Sequence, residues 1–265
     1  MLGKLIVHEL RKKWKSSKFI LLGYGAVQIL LLLIIRVFLW NEGYIDGFAI
    51  DSETTANFDL SFGLLTFVFF ILSFMIGAYP FLESMYRFDR DLSGKQAYLE
   101  LMIPAAAWQK VLSKLIATLA GLVVCGVLSL FSMFLFVMVN SNFQYLTEII
   151  QGVIQVISSD PISLIVGILM ILFGFACLYI MIFMCIAVAK AFTHKNTIAV
   201  PIGILTFILL TAIVSMLEGQ AARFPIYTFR FLDISFALST MVTSIVLFGL
   251  LLLGTGWLME KKIEH

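Results

Sequence analysis

Charge is scarce in this sequence. Only 13% of its 265 residues are Asp, Glu, Lys or Arg, against 61% hydrophobic. Soluble domains carry about a quarter charged residues, so the composition excludes a water-soluble core. Cysteine is nearly absent too: Cys125, Cys177 and Cys185 are odd in number and all fall inside apolar runs. They imply neither a disulfide framework nor a metal site and read as small hydrophobes. The three histidines, His8, His194 and His265, lie on three separate polar elements, so no shared metal or catalytic centre is expected. No H-E-x-x-H, G-x-S-x-G or G-x-x-x-x-G-K-[ST] pattern occurs, which removes the common zinc hydrolase, serine hydrolase and phosphate-loop chemistries. The chain is therefore expected to be no enzyme by itself, to hold no cofactor and to bind no nucleic acid. A cleavable signal peptide is not expected, because the apolar run behind the basic N-terminus is too long for a signal core.

What the chain has in abundance is apolar length. Its mean hydropathy is +1.04. Six apolar runs stand out: Phe19–Trp40, Leu60–Leu82, Val111–Val139, Ile162–Ala189, Thr197–Leu217 and Phe236–Leu258. Each can cross a hydrocarbon core of about 30 Å at about 1.5 Å rise per residue. The third and fourth exceed that need and should tilt or project. The fourth and fifth, separated only by Lys190–Asn196, should form a tight hairpin.

Basic residues set the orientation. Six precede the first span, and the loops after the second and fourth spans and the C-terminus add nine, making fifteen on one side. The opposite side has two, Arg223 and Arg230, and Arg36 lies inside a span. This asymmetry predicts a multi-pass bacterial cell-membrane protein with both termini cytoplasmic. Arg36, one turn from Trp40, is expected to snorkel to the outer boundary.

The polar segments have their own character. In residues 1–18, Leu2, Leu5, Ile6, Leu10 and Trp14 recur at helical spacing opposite Lys4, His8, Arg11, Lys12 and Lys15. This pattern predicts an amphipathic interfacial helix before the first span, with Arg11 and Trp14 at the membrane surface. Between the third and fourth spans, Leu146, Ile149, Ile150, Val153, Ile154 and Ile157 predict a second amphipathic helix, on the outer face. Ser158-Ser159-Asp160-Pro161 then caps and opens the fourth span. Glu218–Asp233, with Phe224, Tyr227, Phe229 and Phe231 around Pro225, predicts an outer interfacial segment that can dip part-way into the membrane.

The longest basic polar break lies around residues 83–110. The second span is expected to end near Glu83, with Tyr86–Leu92 solvated or bonded to protein. A short helix, Lys95–Met102, follows Gly94, and Pro104 opens the third span. Lys110 and Lys114 share one face of that span, opposite Trp108, Val111, Leu112 and Leu115. A short rod lying across two long helices can transmit a push to both.

Tyr86, Arg87, Phe88, Asp91, Leu92, Gly94, Lys95, Tyr98, Leu99, Pro104, Ser113, Lys114 and Leu115 form an order that resembles the loop after the second span in the ABC type-2 transporter permease family, of the bacterial exporter and immunity type. Ile103-Pro104-Ala105-Ala106 stands where family members commonly have Leu-Pro-Val-Ser. The resemblance implies an all-α polytopic fold of six transmembrane helices with an N-terminal interfacial helix. It implies a cytoplasmic coupling helix between helices 2 and 3 and a re-entrant outer segment between helices 5 and 6. It further implies a dimer of permease subunits, identical or not, working with separate ATPase subunits that hold the ATP and magnesium. On this reading Tyr98, Leu99 and Met102 fill an apolar groove on the ATPase. Arg90, Lys95 and Glu100 form its polar rim, and Gly94 and Pro104 bound the coupling segment. Leu92-Ser93-Gly94-Lys95-Gln96 superficially matches an ATPase signature, but without a phosphate loop it carries no nucleotide site.

Cargo is expected to be amphipathic or hydrophobic: a peptide, drug or lipid. The spans show no carboxylate at mid-membrane, as an ion-coupled carrier would need. Gln28, Thr206, Thr211, Ser215, Ser235, Ser239 and Thr243 are uncharged polar residues that could line a cavity or serve as helix-packing glue. Ala117 and Gly121 suggest a close helix contact. A different class of function stays open beside transport: a membrane receptor, immunity or scaffold protein that moves nothing.

Overall fold

The computed structural model describes residues 2–41, 60–93, 105–140, 146–159, 161–193, 196–223, 228–231 and 234–262. In order, the elements are α1 (Leu2–Asn41), α2 (Leu60–Asp91), α3 (Ala107–Asn140), α4 (Leu146–Ser159) and α5 (Pro161–Phe192), followed by α6 (Asn196–Ala222), β1 (Thr228–Phe231), β2 (Ile234–Ala237) and α7 (Leu238–Lys262). Six of these helices, all but α4, are long and apolar enough to cross a membrane. The fold is that of an all-α polytopic membrane protein.

Three elements depart from the sequence expectation. First, α1 is one unbroken helix of 40 residues, about 60 Å long at 1.5 Å per residue. Residues 2–18 continue the first span instead of forming a separate interfacial helix. The sequence contains no breaker between Lys18 and Phe19, and Lys13 and Ser17 are buried, so one face of this basic stretch packs on protein. Second, α2 runs to Asp91 and α3 starts at Ala107, so the connection is shorter than the expected 83–110. Third, residues 228–237 form an antiparallel strand pair, with Phe229 opposite Phe236 and Arg230 opposite Ser235. Ser235 is therefore on a strand, and the helical spacing expected for Ser235, Ser239 and Thr243 holds only from Ser239 onward. Phenylalanine and a β-branched Thr or Ile in each strand favour pairing.

The chain divides into two compact units. One comprises Arg11–Pro80 and Ala120–Pro161. Its apolar centre is Leu32, Ile35, Phe69 and Phe136, with the last two rings stacked at 4.8 Å between centroids. A polar chain crosses it. Gln28 is buried and donates through Nε2 to Tyr24 Oη at 3.1 Å and Ser73 Oγ at 3.0 Å. Ser129 Oγ donates to the Ser73 carbonyl at 3.2 Å. Arg36 donates to the carbonyl of Val139 at 3.2 Å, one of the last carbonyls of α3. A cation there complements the negative helix end. Gly121, expected to seat another helix, is instead covered by the side chain of Lys13: a Cβ added at Gly121 would lie 2.6 Å from Lys13 Cε and Nζ.

The second unit comprises Met1–Leu10, Phe81–Leu119 and Ile162–His265. Phe88 of α2 stacks on Phe183 of α5 at 4.2 Å, and both are almost fully buried. Ser239 Oγ of α7 donates to the Ala221 carbonyl of α6 at 2.8 Å, and Ser244 Oγ donates to Glu218 at 2.9 Å. At Gly256 of α7 the backbone of α3 comes close. A Cβ there would sit 2.9 Å from the backbone nitrogen of Trp108 and 3.3 Å from its Cα. Backbone cannot rotate away, so only glycine fits. At Gly254 the nearest atom is the flexible end of Met184, at 3.4 Å. Gly256→Ala is therefore expected to cost about 1–3 kcal/mol from overpacking. Gly254→Ala should be neutral or slightly stabilising, because alanine is the better helix former. Thermal unfolding of the two purified variants in detergent tests the contrast.

Candidate functional site: an ionic frame around the 94–104 connection

Of the residues expected to couple to an ATPase, Gly94, Lys95, Tyr98, Leu99, Glu100, Met102 and Pro104 lie outside the described residues. Arg90 is described. It is exposed in the last turn of α2, with its guanidinium 5.9 Å from the centre of the Tyr86 ring. The structure also describes the frame from which this connection springs, and that frame was only partly legible in the sequence.

The frame is built on helix ends. Lys114 of α3, expected on a polar face with Lys110, is only 7% exposed, and Lys110 is buried as well. Lys114 Nζ donates to Asp91 at the C-terminus of α2 and to Glu9 of α1 at 3.4 Å. Asp91 is 4% exposed. Lys190, near the C-terminus of α5, is 3% exposed and meets Asp89 of α2 at 3.0 Å, while the Asp89 side chain keeps 40% exposure. Glu83 and Arg87 pair at 2.7 Å along α2. Glu260 Oε1 of α7 accepts the backbone N–H of Ala107 at 3.1 Å, capping the first residue of α3. A carboxylate at a helix N-terminus satisfies an orphan donor and complements the dipole.

These contacts explain why α2 outlasts its apolar run. The sequence carries alternating charge after Glu83, expected to be solvated or bonded to protein, and the second holds. Each charge finds a partner on another helix or one turn away, and Phe88 and Leu92 face inward at 1% and 5% exposure. The helix therefore continues until Asp91 is spent on Lys114. Ser93 then closes it: its N–H bonds the Arg90 carbonyl at 3.1 Å and its Oγ the Asp89 carbonyl at 2.7 Å.

A buried ion pair contributes little net stability, because desolvation offsets the attraction, but removing one partner strands a charge. Its physical effect is to fix register. Here α1, α2 and α3 are tied through Lys114, α2 and α5 through Lys190, and α3 and α7 through Glu260. Beside the frame, α5 and α7 leave an apolar groove of about 310 Å³ that includes Met184, Phe192 and Trp257. It offers packing surface and no polar group for chemistry. Among the described residues no cluster of three or more His, Cys, Asp or Glu could hold a metal.

Of the residues expected to line a cavity or join helices, Gln28 and Ser239 join helices. Gln28 bridges α1 and α2. Thr206, Thr211 and Thr243 donate to carbonyls four residues earlier in their own helices, each at 2.8 Å, and Ser239 bonds across to α6. Thr211 and Ser215 face outward from α6. Arg11 and Trp14 are exposed on α1, Trp14 at 58%.

Fold and frame together define a six-span helical membrane protein whose loop-bearing helix ends are held by buried ion pairs. Comparison with family models, curated proteins and solved structures gives no match.

Lys114→Met should destabilise the protein by about 3–5 kcal/mol, because it removes the cation that Asp91 and Glu9 share. Lys190→Met should cost less, since Asp89 retains solvent. Adding Asp91→Asn to Lys114→Met should recover part of the loss. Unfolding midpoints of the three variants in one detergent give the order.

Proposed function

We propose that this chain is the permease subunit of an ATP-driven exporter in a bacterial cell membrane, moving an amphipathic or hydrophobic peptide, drug or lipid. A second permease subunit completes the path. Separate ATPase subunits dock on residues 94–102, supplying ATP, magnesium and hydrolysis. The end of the protein that carries this connection faces the cytosol, as the basic residues argue.

The observation that supports this reading most is the ionic frame. A push delivered to the connection enters α2 through Asp91 and α3 through Ala107. Asp91 is held by Lys114, and Ala107 is capped by Glu260. A displacement of either end therefore drags α1, α5 and α7 with it. Five helices tied at one end suit conversion of a cytosolic conformational change into movement of the spans. A receptor or scaffold that moves nothing has no need of such stiffness.

Tyr98→Asp puts a charge into the expected apolar contact. It should abolish co-purification of the ATPase and ATP-dependent flux into liposomes, with membrane insertion unchanged. Co-purification and flux at wild-type levels would overturn the docking assignment. A wild-type complex that retains its ATPase yet shows no ATP-dependent flux of any peptide, drug or lipid tested would favour the receptor or scaffold reading.

A further inference from the structure

The amphipathic helix α4 has no counterpart in the mechanism above. Its 14 residues, Leu146–Ser159, separate sharply by face. Ile150, Val153, Ile154 and Ile157 occupy one arc and are 46–58% exposed. Glu148 and Gln155 lie opposite, and Thr147, Gln151 and Ser158 flank the apolar arc on one side. Four large branched side chains in water are costly, at roughly 25 cal/mol per Å². Some apolar phase must cover them.

Chain connectivity says which. A single residue, Asp160, separates α4 from α5, and the outward apolar surface of α5 begins at once, with Ile162 at 74% and Ile165 at 57% exposure. Five residues separate α4 from α3, whose outward apolar surface continues to Val137. Both neighbours enter the hydrocarbon within a few residues of α4, so its C-terminal turn is held at the bilayer boundary by covalent attachment. The bilayer is already within reach of every copy of the chain.

Charge narrows the kind of surface. The interval from 141 to 160 contains Glu148 and Asp160 and no Lys or Arg. Most interfacial helices add attraction to anionic lipid through basic residues. This helix has none to offer and relies on apolar burial alone.

We infer that α4 lies in the headgroup–acyl boundary of a neutral lipid surface, with Ile150, Val153, Ile154 and Ile157 inserted, as a float that fixes the depth of the connection between α3 and α5. It engages zwitterionic lipid and gains nothing from anionic lipid.

The test uses the full chain in phosphatidylcholine vesicles with a nitroxide at Ile157→Cys or, on the opposite face, at Gln155→Cys. The ratio of oxygen to water-soluble nickel accessibility should be severalfold higher at 157 than at 155. It should not rise when phosphatidylglycerol is added. A label at 157 reached by nickel would overturn the inference, as would one reached by neither reagent or broadened by a second copy. Deeper insertion on anionic vesicles would overturn the neutral-surface assignment. The unsubstituted chain gives a second measurement: photoactivatable phosphatidylcholine should form adducts within 149–157, and their absence would also sink the proposal.

Discussion

One buried ammonium holds the loop-bearing end together. Lys114 sits between carboxylates from two other helices, with Lys114 and Asp91 buried and Glu9 partly so. A long helix in a membrane has little reason to prefer one axial position, because sliding it exchanges one apolar contact for another. A buried charge triad removes that freedom, since a shift of one turn leaves a charge unpaired in low dielectric. The stacked rings of Phe88 and Phe183 and the Glu260 cap on Ala107 depend on the register thus set.

The membrane interior of the protein follows another rule. Lipid tails do not drive helices together as water does, so polar bridges and small residues do the joining. Gln28, Ser73 and Ser129 form such a bridge, and Ser239, Ser244 and Glu218 form another between α6 and α7. Arg36 is part of the same economy: its charge is spent on the open end of α3. Gln28 and Ser239 are thus occupied in holding helices, whereas Thr211 and Ser215 face outward from α6.

Function and fold meet at the ends of α2 and α3. The stretch from Tyr86 to Leu115 attracted interest for its charges and its resemblance to a coupling loop. The structure divides it into two roles. Asp91, Ser113, Lys114 and Leu115 are buried frame, whereas Tyr86 and Arg90 are exposed. In the proposed assembly the first set grips the helices and the second is open to a partner.

The spans were legible from composition and run length, because the hydrocarbon thickness fixes how many apolar residues a crossing needs. So was α4, whose periodicity is local, and so was the start of α5 at Pro161, where proline suits a first helical turn. The continuation of α1 through residues 2–18, the extension of α2 to Asp91, the burial of Lys110 and Lys114 and the strand pair at 228–237 were not. The first three involve partners remote in sequence, whereas the strand pair is local, Phe231 lying opposite Ile234. Glu9 is 105 positions from Lys114 and Glu260 is 153 from Ala107. Sequence alone determined which segments must leave water. Only tertiary structure decided which charges would leave with them, because a charge is buried or solvated according to what stands opposite it, and nothing in its own neighbourhood records that.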